Sequence, residues 1–249
     1  MKKISKLVFG LFLTVGVLGS GAVYAACSDV SRAALQAAAD GVVRNTGAPG
    51  TNGTGGFGLN MWVTMVDETG KVCHVVNTGA DGATSGNEQW LGSRVISAQK
   101  ANTANAFSLD GVSISSGALY AAVQPGGSLY GLQHSNPVDA SEAYKGSPSN
   151  YGKDKDPLKG KRIGGVNVFG GGIALYNASD VKVGAIGVSG DTSCTDHAFA
   201  WKVREALALD NGPGGFEKLD LGSTFTALGD HANCTGDGVL DNQAGFGFE

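Results

Sequence analysis

Apolar and polar positions alternate along this chain with three different periods, and each change of period marks an element. Ala33, Ala34, Leu35, Ala37, Ala38 and Ala39 are strong helix formers between Asp29 and Arg44, and Asn45-Thr46-Gly47 followed by Pro49 stops them, which predicts a helix. A glycine-rich loop runs through Gly56. Leu59 to Val66 is rich in strand formers, Asp67 to Gly70 is a turn, and Lys71 to Val76 completes a β-hairpin. Asn87 or Glu88 opens a second helix to about Phe107, with Trp90, Leu91, Val95, Ala98, Ala101 and Ala104 or Ala106 at helical spacing. A short third helix is predicted over Ser116 to Val123.

The period is lost from Gln124 to Gly172, where Pro125, Pro137, Pro148 and Pro157 stand among glycines and serines, with a charge run from Lys153 to Arg162. This reads as a long ordered excursion over the surface, a kind of segment that often carries function. Ile173 to Tyr176, a turn at Asn177 to Val181 and the apolar run Val183 to Ser189 predict a second hairpin, and Thr195 or Asp196 caps a last helix, Asp196 to Leu209. Its packing face is supplied by Ala198, Trp201, Val203, Ala206 and Leu207. Residues 211–249 read as turns and loops. The order predicts an α+β fold, four strands in two antiparallel pairs with helices on one or both sides of a mixed or antiparallel sheet.

The first 25 residues change what the working molecule is. Lys2, Lys3 and Lys6 precede an apolar run from Leu7 to Leu18, too short to span a bilayer, and Val23 and Ala25 are small residues at cleavage positions. They predict a signal peptide cleaved after Ala25; lipid attachment at Cys27 is the alternative, which Tyr24 disfavours. The domain reading is therefore 1–25 signal, 26–210 main domain with the insertion 124–172, and 211–249 an extension. Loss of three lysines from 18 Lys and Arg leaves 15 against 22 Asp and Glu, a net charge of −7. With no basic cluster, nucleic acid and anionic lipid are excluded as partners. No later segment has transmembrane length.

All four cysteines, Cys27, Cys73, Cys194 and Cys234, survive cleavage and predict two disulfides in an oxidising compartment, periplasmic or secreted. Three connectivities are open; pairing Cys27 with Cys73 and Cys194 with Cys234 would tie each end of the chain to its body. The cysteine spacing does not suit a zinc knuckle. The glycines of Gly184 to Gly190 lack phosphate-loop spacing, and a glycine on a buried strand normally marks close packing by a helix. Ser189 is followed directly by Gly190, so it is not a nucleophile elbow. Asn233 to Gly238 echoes a calcium loop, but Ala244 stands where the closing glutamate belongs.

Three ordered motifs carry a resemblance. Ser97-Ala98-Gln99-Lys100-Ala101-Asn102-Thr103-Ala104-Asn105-Ala106-Phe107, then Phe169-Gly170-Gly171-Gly172-Ile173, then Gly184-Ala185-Ile186-Gly187-Val188-Ser189-Gly190 with Asp196 after it, resemble the GlcG/HbpS-like family over about residues 28 to 209. The excursion is longer than that family's usual connection, and the cysteine-bearing tail lies outside its core. The resemblance implies a profilin-like sandwich, a mostly antiparallel sheet flanked by helices, that assembles into homo-oligomers and whose extracellular members bind haem. The expectation is then an exported haem-binding protein, for sensing or uptake, with an apolar pocket between helices, sheet and excursion. A haem-degrading or other small-molecule enzyme, or a structural oligomer without ligand, are the alternatives.

Imidazole is a common axial ligand of haem iron, which makes the four histidines candidates. His134 lies in the excursion near Tyr130 and Tyr144. His197 lies in the first turn of the last helix, where the dipole favours a neutral ring. Those two, with Lys100 beside a ligand mouth on an exposed helix face, are the candidate ligand-binding residues. His74 reads as structural, beside Cys73, and His231 as exposed in the tail.

Overall fold

The structure is a computed structural model and describes residues 26–44, 56, 59–79, 92–222, 227–232, 234 and 247–248. The proposed signal segment, the loop after Arg44 and the start of the second helix lie outside the described residues. Two N-terminal helices, α1 (Ala26–Asp29) and α2 (Arg32–Arg44), precede the hairpin β1 (Trp62–Asp67) and β2 (Val72–Asn77). Helix α3 (Ser93–Phe107) leads to β3 (Ser113–Ile114), and the excursion carries the single turns α4 (Leu132–Ser135) and α5 (Ala140–Ala143). The second hairpin is β4 (Gly172–Tyr176) and β5 (Lys182–Ser189), followed by α6 (Ser193–Ala206) and the short tail strands β6 (Gly215–Phe216), β7 (Asp220–Leu221) and β8 (Asp230–His231).

The two hairpins join into one four-stranded antiparallel sheet in the order β2-β1-β5-β4, with Trp62 opposite Ser189 and Val66 opposite Ala185. Side chains alternate across it as a strand requires. Val63, Met65, Ile173, Leu175, Ile186 and Val188 face α2 and α6, where Leu35, Ala39, Phe199 and Val203 complete one core. Trp62, Val66, Val72, Val75 and Ala185 face α3 and meet Val95, Ala98, Ala101 and Ala104. Helices cover both faces of the sheet, as the α+β reading expects.

Gly187 explains how closely α3 lies. A Cβ there would stand 1.9 Å from the Ser97 carbonyl oxygen and 2.4 Å from the Ala101 amide nitrogen, so the small-residue face of α3 rests directly on the β5 backbone. Thr64 and Ser97 hydroxyls share a hydrogen bond at 2.7 Å across the same seam.

Three sequence expectations need correction. The third helix is two 3₁₀ turns, Gly117–Leu119 and Ala121–Val123. The last helix starts at Ser193 because the Thr192 hydroxyl accepts the Thr195 amide at 3.2 Å, so Thr192 is the cap and Asp196 lies inside the first turn. The tail is not loop alone: β6 pairs parallel with β3, and β8 with β7.

The excursion is held by charge and backbone. Arg94 of α3 is buried, pairs with Asp156 through two nitrogens, gives a hydrogen bond to the Ala143 carbonyl and stacks 3.6 Å from the Tyr151 ring. Asp156 also accepts the Gly152 and Leu158 amides. Residues 158–161 shield the β2 edge through Val72 amide to Lys161 oxygen and Gly160 amide to Val72 oxygen bonds, each 2.8 Å.

Candidate functional site

Lys100 is not on an exposed face. It is 2 % exposed, and its ammonium donates to Asp196 Oδ2 at 2.7 Å and to the Val188 carbonyl at 3.0 Å, bolting α3 to α6 through the end of β5. Asp196 Oδ1 accepts the Asp191 amide at 3.0 Å. Burial pushes the Asp196 carboxyl up to about 6, opposed by the Lys100 charge. Gly171 makes room for the pair: a Cβ there would stand 3.2 Å from Lys100 Nζ and 3.0 Å from Asp196 Cβ.

His197, the next residue on α6, is fully buried against the tail. Its Nε2 lies 3.0 Å from the Gly247 carbonyl, and the Phe248 ring centre is 5.7 Å away. Burial, reinforced by the nearby His231, lowers its pKa to about 3, so the ring is neutral; the sequence reading credited the helix dipole instead. With Nε2–H spent on Gly247, Nδ1 keeps a buried lone pair with no partner among the described residues.

His231 is 1 % exposed, not surface as its tail position suggested. Its ring packs 4.9 Å from Tyr120, its Nε2 accepts the Gly170 amide at 3.3 Å, and burial lowers its pKa to about 4. His74 fastens the N-terminal segment, with Nε2 2.8 Å from the Val30 carbonyl, and burial lowers its pKa. The disulfides are Cys27–Cys73 and Cys194–Cys234; the first engages the sulfur that lipid attachment would need.

The structure brings Lys100 and His197 together at the start of α6 and leaves His134 elsewhere. His134 is exposed at the end of α4, whose Leu132 packs towards Leu119, Val123 and Val168. Beside that turn, where the excursion meets the C-terminal half of α3, lies a cleft of about 470 Å³. Phe107, Ala106, Pro137 and Val166 give it apolar walls, and Asn102, Ser135 and Asn136 are its polar side chains. Asn102 braces the far wall by donating to the Gly165 carbonyl at 2.8 Å. A second cleft, about 660 Å³, lies between the 121–129 turn and Ala227-Leu228. Both volumes suit small-molecule sites.

Both clefts lie at the surface of the described residues. The sequence expectation was a pocket between helices, sheet and excursion; the cleft beside α4 lies between α3 and the excursion, while the seam between α3 and the sheet is filled by Trp62, Ala98, Ala101 and Ala185, because alanine and glycine let the backbones touch. Asn102, Ala106 and Phe107 were missed as lining residues, although Asn102 and Ala106 are one helical turn apart and share a face.

Comparison with known proteins follows the same segment. The family model described as haem degrading protein HbpS-like matches residues 54–205, more than half of the chain. The PduOC:heme complex is similar at 23% identity, covering 72% of this chain and 94% of that one, with a TM-score of 0.47. Klebsiella pneumoniae protein ORFY is 21% identical, with coverage of 72% and 90% and a TM-score of 0.45. No curated protein matches the chain.

Proposed function

Because the chain belongs to the haem degrading HbpS-like family, we propose that it is an exported haem-binding protein, with the macrocycle laid in the cleft beside α4 and His134 as the iron ligand. The observation that carries the reading is a cleft of about 470 Å³ with mixed apolar and polar walls beside the family-motif helix, and an exposed imidazole on the adjoining turn. Phe107, Ala106, Pro137 and Val166 offer apolar contact to a flat ligand, and exposed His134 on the adjoining turn offers an imidazole for iron. Lys100 serves this reading from beneath: its buried ion pair with Asp196 fixes α3 on α6, and α3 supplies one cleft wall, while His197 holds α6 to the tail through Gly247. Two disulfides support an oxidising compartment, and cleavage after Ala25 and homo-oligomer assembly belong to the same reading.

Titrating the purified chain with haemin tests it. A saturable, sharpened Soret band is the expected result; a spectrum that remains that of free haemin overturns the proposal. The family's description favours haem degradation as a second reading. The cleft's own polar groups are two amides and a hydroxyl, which supply no acid or base near neutral pH, so binding comes first. Ascorbate added to the complex separates the two: bleaching with stoichiometric iron release supports degradation, and a persistent band supports binding alone.

A further inference from the structure

Cys194, Cys234 and His231 converge where the tail crosses the start of α6. Their ligating atoms all lie within 4.8 Å of one another. The Ala232 carbonyl oxygen is a neighbour to all three, 2.8 Å from His231 Nδ1, 3.9 Å from Cys194 Sγ and 4.0 Å from Cys234 Sγ. Either ring nitrogen of His231 is a potential donor to the cluster. A tetrahedral zinc-type site holds sulfur at about 2.3 Å and imidazole nitrogen at about 2.0–2.1 Å, so its donors stand some 3–4 Å apart. The cluster is already near that spacing. The one change required is that the two sulfurs stop being bonded to each other, and a Cα–Cα distance of 6.1 Å leaves room for it.

We propose that Cys194, Cys234 and His231 form a redox-exclusive site for a soft divalent cation of the zinc or cadmium type, closed while the disulfide stands and opened by a dithiol reductant. In the opening step the dithiol becomes a cyclic disulfide, and its two electrons and two protons convert the Cys194–Cys234 bond into two thiols. The cation then displaces both thiol protons to solvent, forms two metal–thiolate bonds and takes a lone pair from neutral imidazole. The fourth position falls to water or to the Ala232 carbonyl.

The surroundings favour the second of these steps. Cys194 sits in the first turn of α6, where the helix dipole stabilises a thiolate. Nε2 now accepts the Gly170 amide at 3.3 Å; ligation through Nε2 takes that lone pair, and ligation through Nδ1 moves the ring proton onto it, so cation binding by either nitrogen must break that contact. His231 and Cys234 lie beyond the family-matched residues 54–205 and Cys194 within them, so the tail completes the site. It is independent of the haem cleft.

The test uses the full chain, reduced anaerobically with a dithiol, desalted and titrated with Cd²⁺. The expected result is a sulfur-to-cadmium charge-transfer band in the ultraviolet, saturating at one equivalent for this site, absent from the oxidised chain and lost in Cys234→Ser. His231→Asn should weaken binding about tenfold or more. Cys27 and Cys73 are also reduced in this experiment, and the Cys234→Ser difference isolates the proposed site from them. Should His231→Asn not fold, the Gly170 amide resonance of the unaltered chain serves in its place, because it must shift on Cd²⁺ addition. No band in the reduced chain, an equal band in Cys234→Ser, or an unmoved Gly170 resonance would overturn the proposal.

Discussion

Replacing Lys100 by methionine removes the ammonium while keeping most of the stem, and so isolates the charge. Asp196 is then left 2 % exposed, with the Asp191 amide as its remaining bond among those described. Stripping one partner from a buried ion pair costs about 3–5 kcal/mol, a large share of the ~5–15 kcal/mol that holds a typical domain folded. The Lys202–Glu205 pair, at 29% and 37% exposure, is the internal control, and Lys202→Met should cost no more than ~1 kcal/mol.

The pH dependence has a definite sign. The folded Asp196 carboxyl is already raised to about 6 with Lys100 present, and loss of Lys100 raises it further above its unfolded value of about 3.9. A group raised on folding contributes its stability below the unfolded value and loses it as pH climbs through the folded one. The Lys100→Met deficit should therefore be largest at pH 7 and shrink towards pH 5. Urea unfolding with the disulfides intact reads both quantities, and a Lys100→Met/Asp196→Leu double variant should regain most of the loss. A deficit under ~1 kcal/mol at pH 7, or one that grows on acidification, would refute the reasoning.

Two further variants probe what positions the cleft. Gly187→Ala forces a methyl into the α3 backbone and should destabilise by about 1–3 kcal/mol; an unchanged melting temperature would show that α3 does not lie so close. Arg94→Met leaves Asp156 buried and unpaired and should release the excursion, so that limited proteolysis cuts first between Asp139 and Leu158; cleavage at native speed would contradict that anchoring.

The four strands of the main sheet were legible because each is a short apolar run beside a turn that names itself, Asp67 to Gly70 and Asn177 to Val181, whereas the two-residue strands β3, β6, β7 and β8 are too short to leave a pattern. Joining the hairpins through β1 and β5 was not, since register between segments more than a hundred residues apart leaves no local mark. The packing role of Gly187 was readable as a glycine on a buried strand. Lys100 was placed wrongly because a lone lysine on a helix is normally solvated, and the residue that changes its fate, Asp196, is 96 positions away. His231 was misread for the same reason: its burial is made by Tyr120 and Gly170, which sequence distance hides. Cysteine pairing was open among three choices, and the structure selects the one in which each bridge ties an end of the chain to its body.

The most direct test of the haem assignment compares the ferric haem complex of the native chain with that of His134→Ala by magnetic circular dichroism. The account predicts an imidazole-ligated iron spectrum for the native chain that is lost or replaced in His134→Ala, whose fold stays intact because the side chain is exposed. An identical spectrum from both proteins would contradict it and move the ligand away from the cleft beside α4.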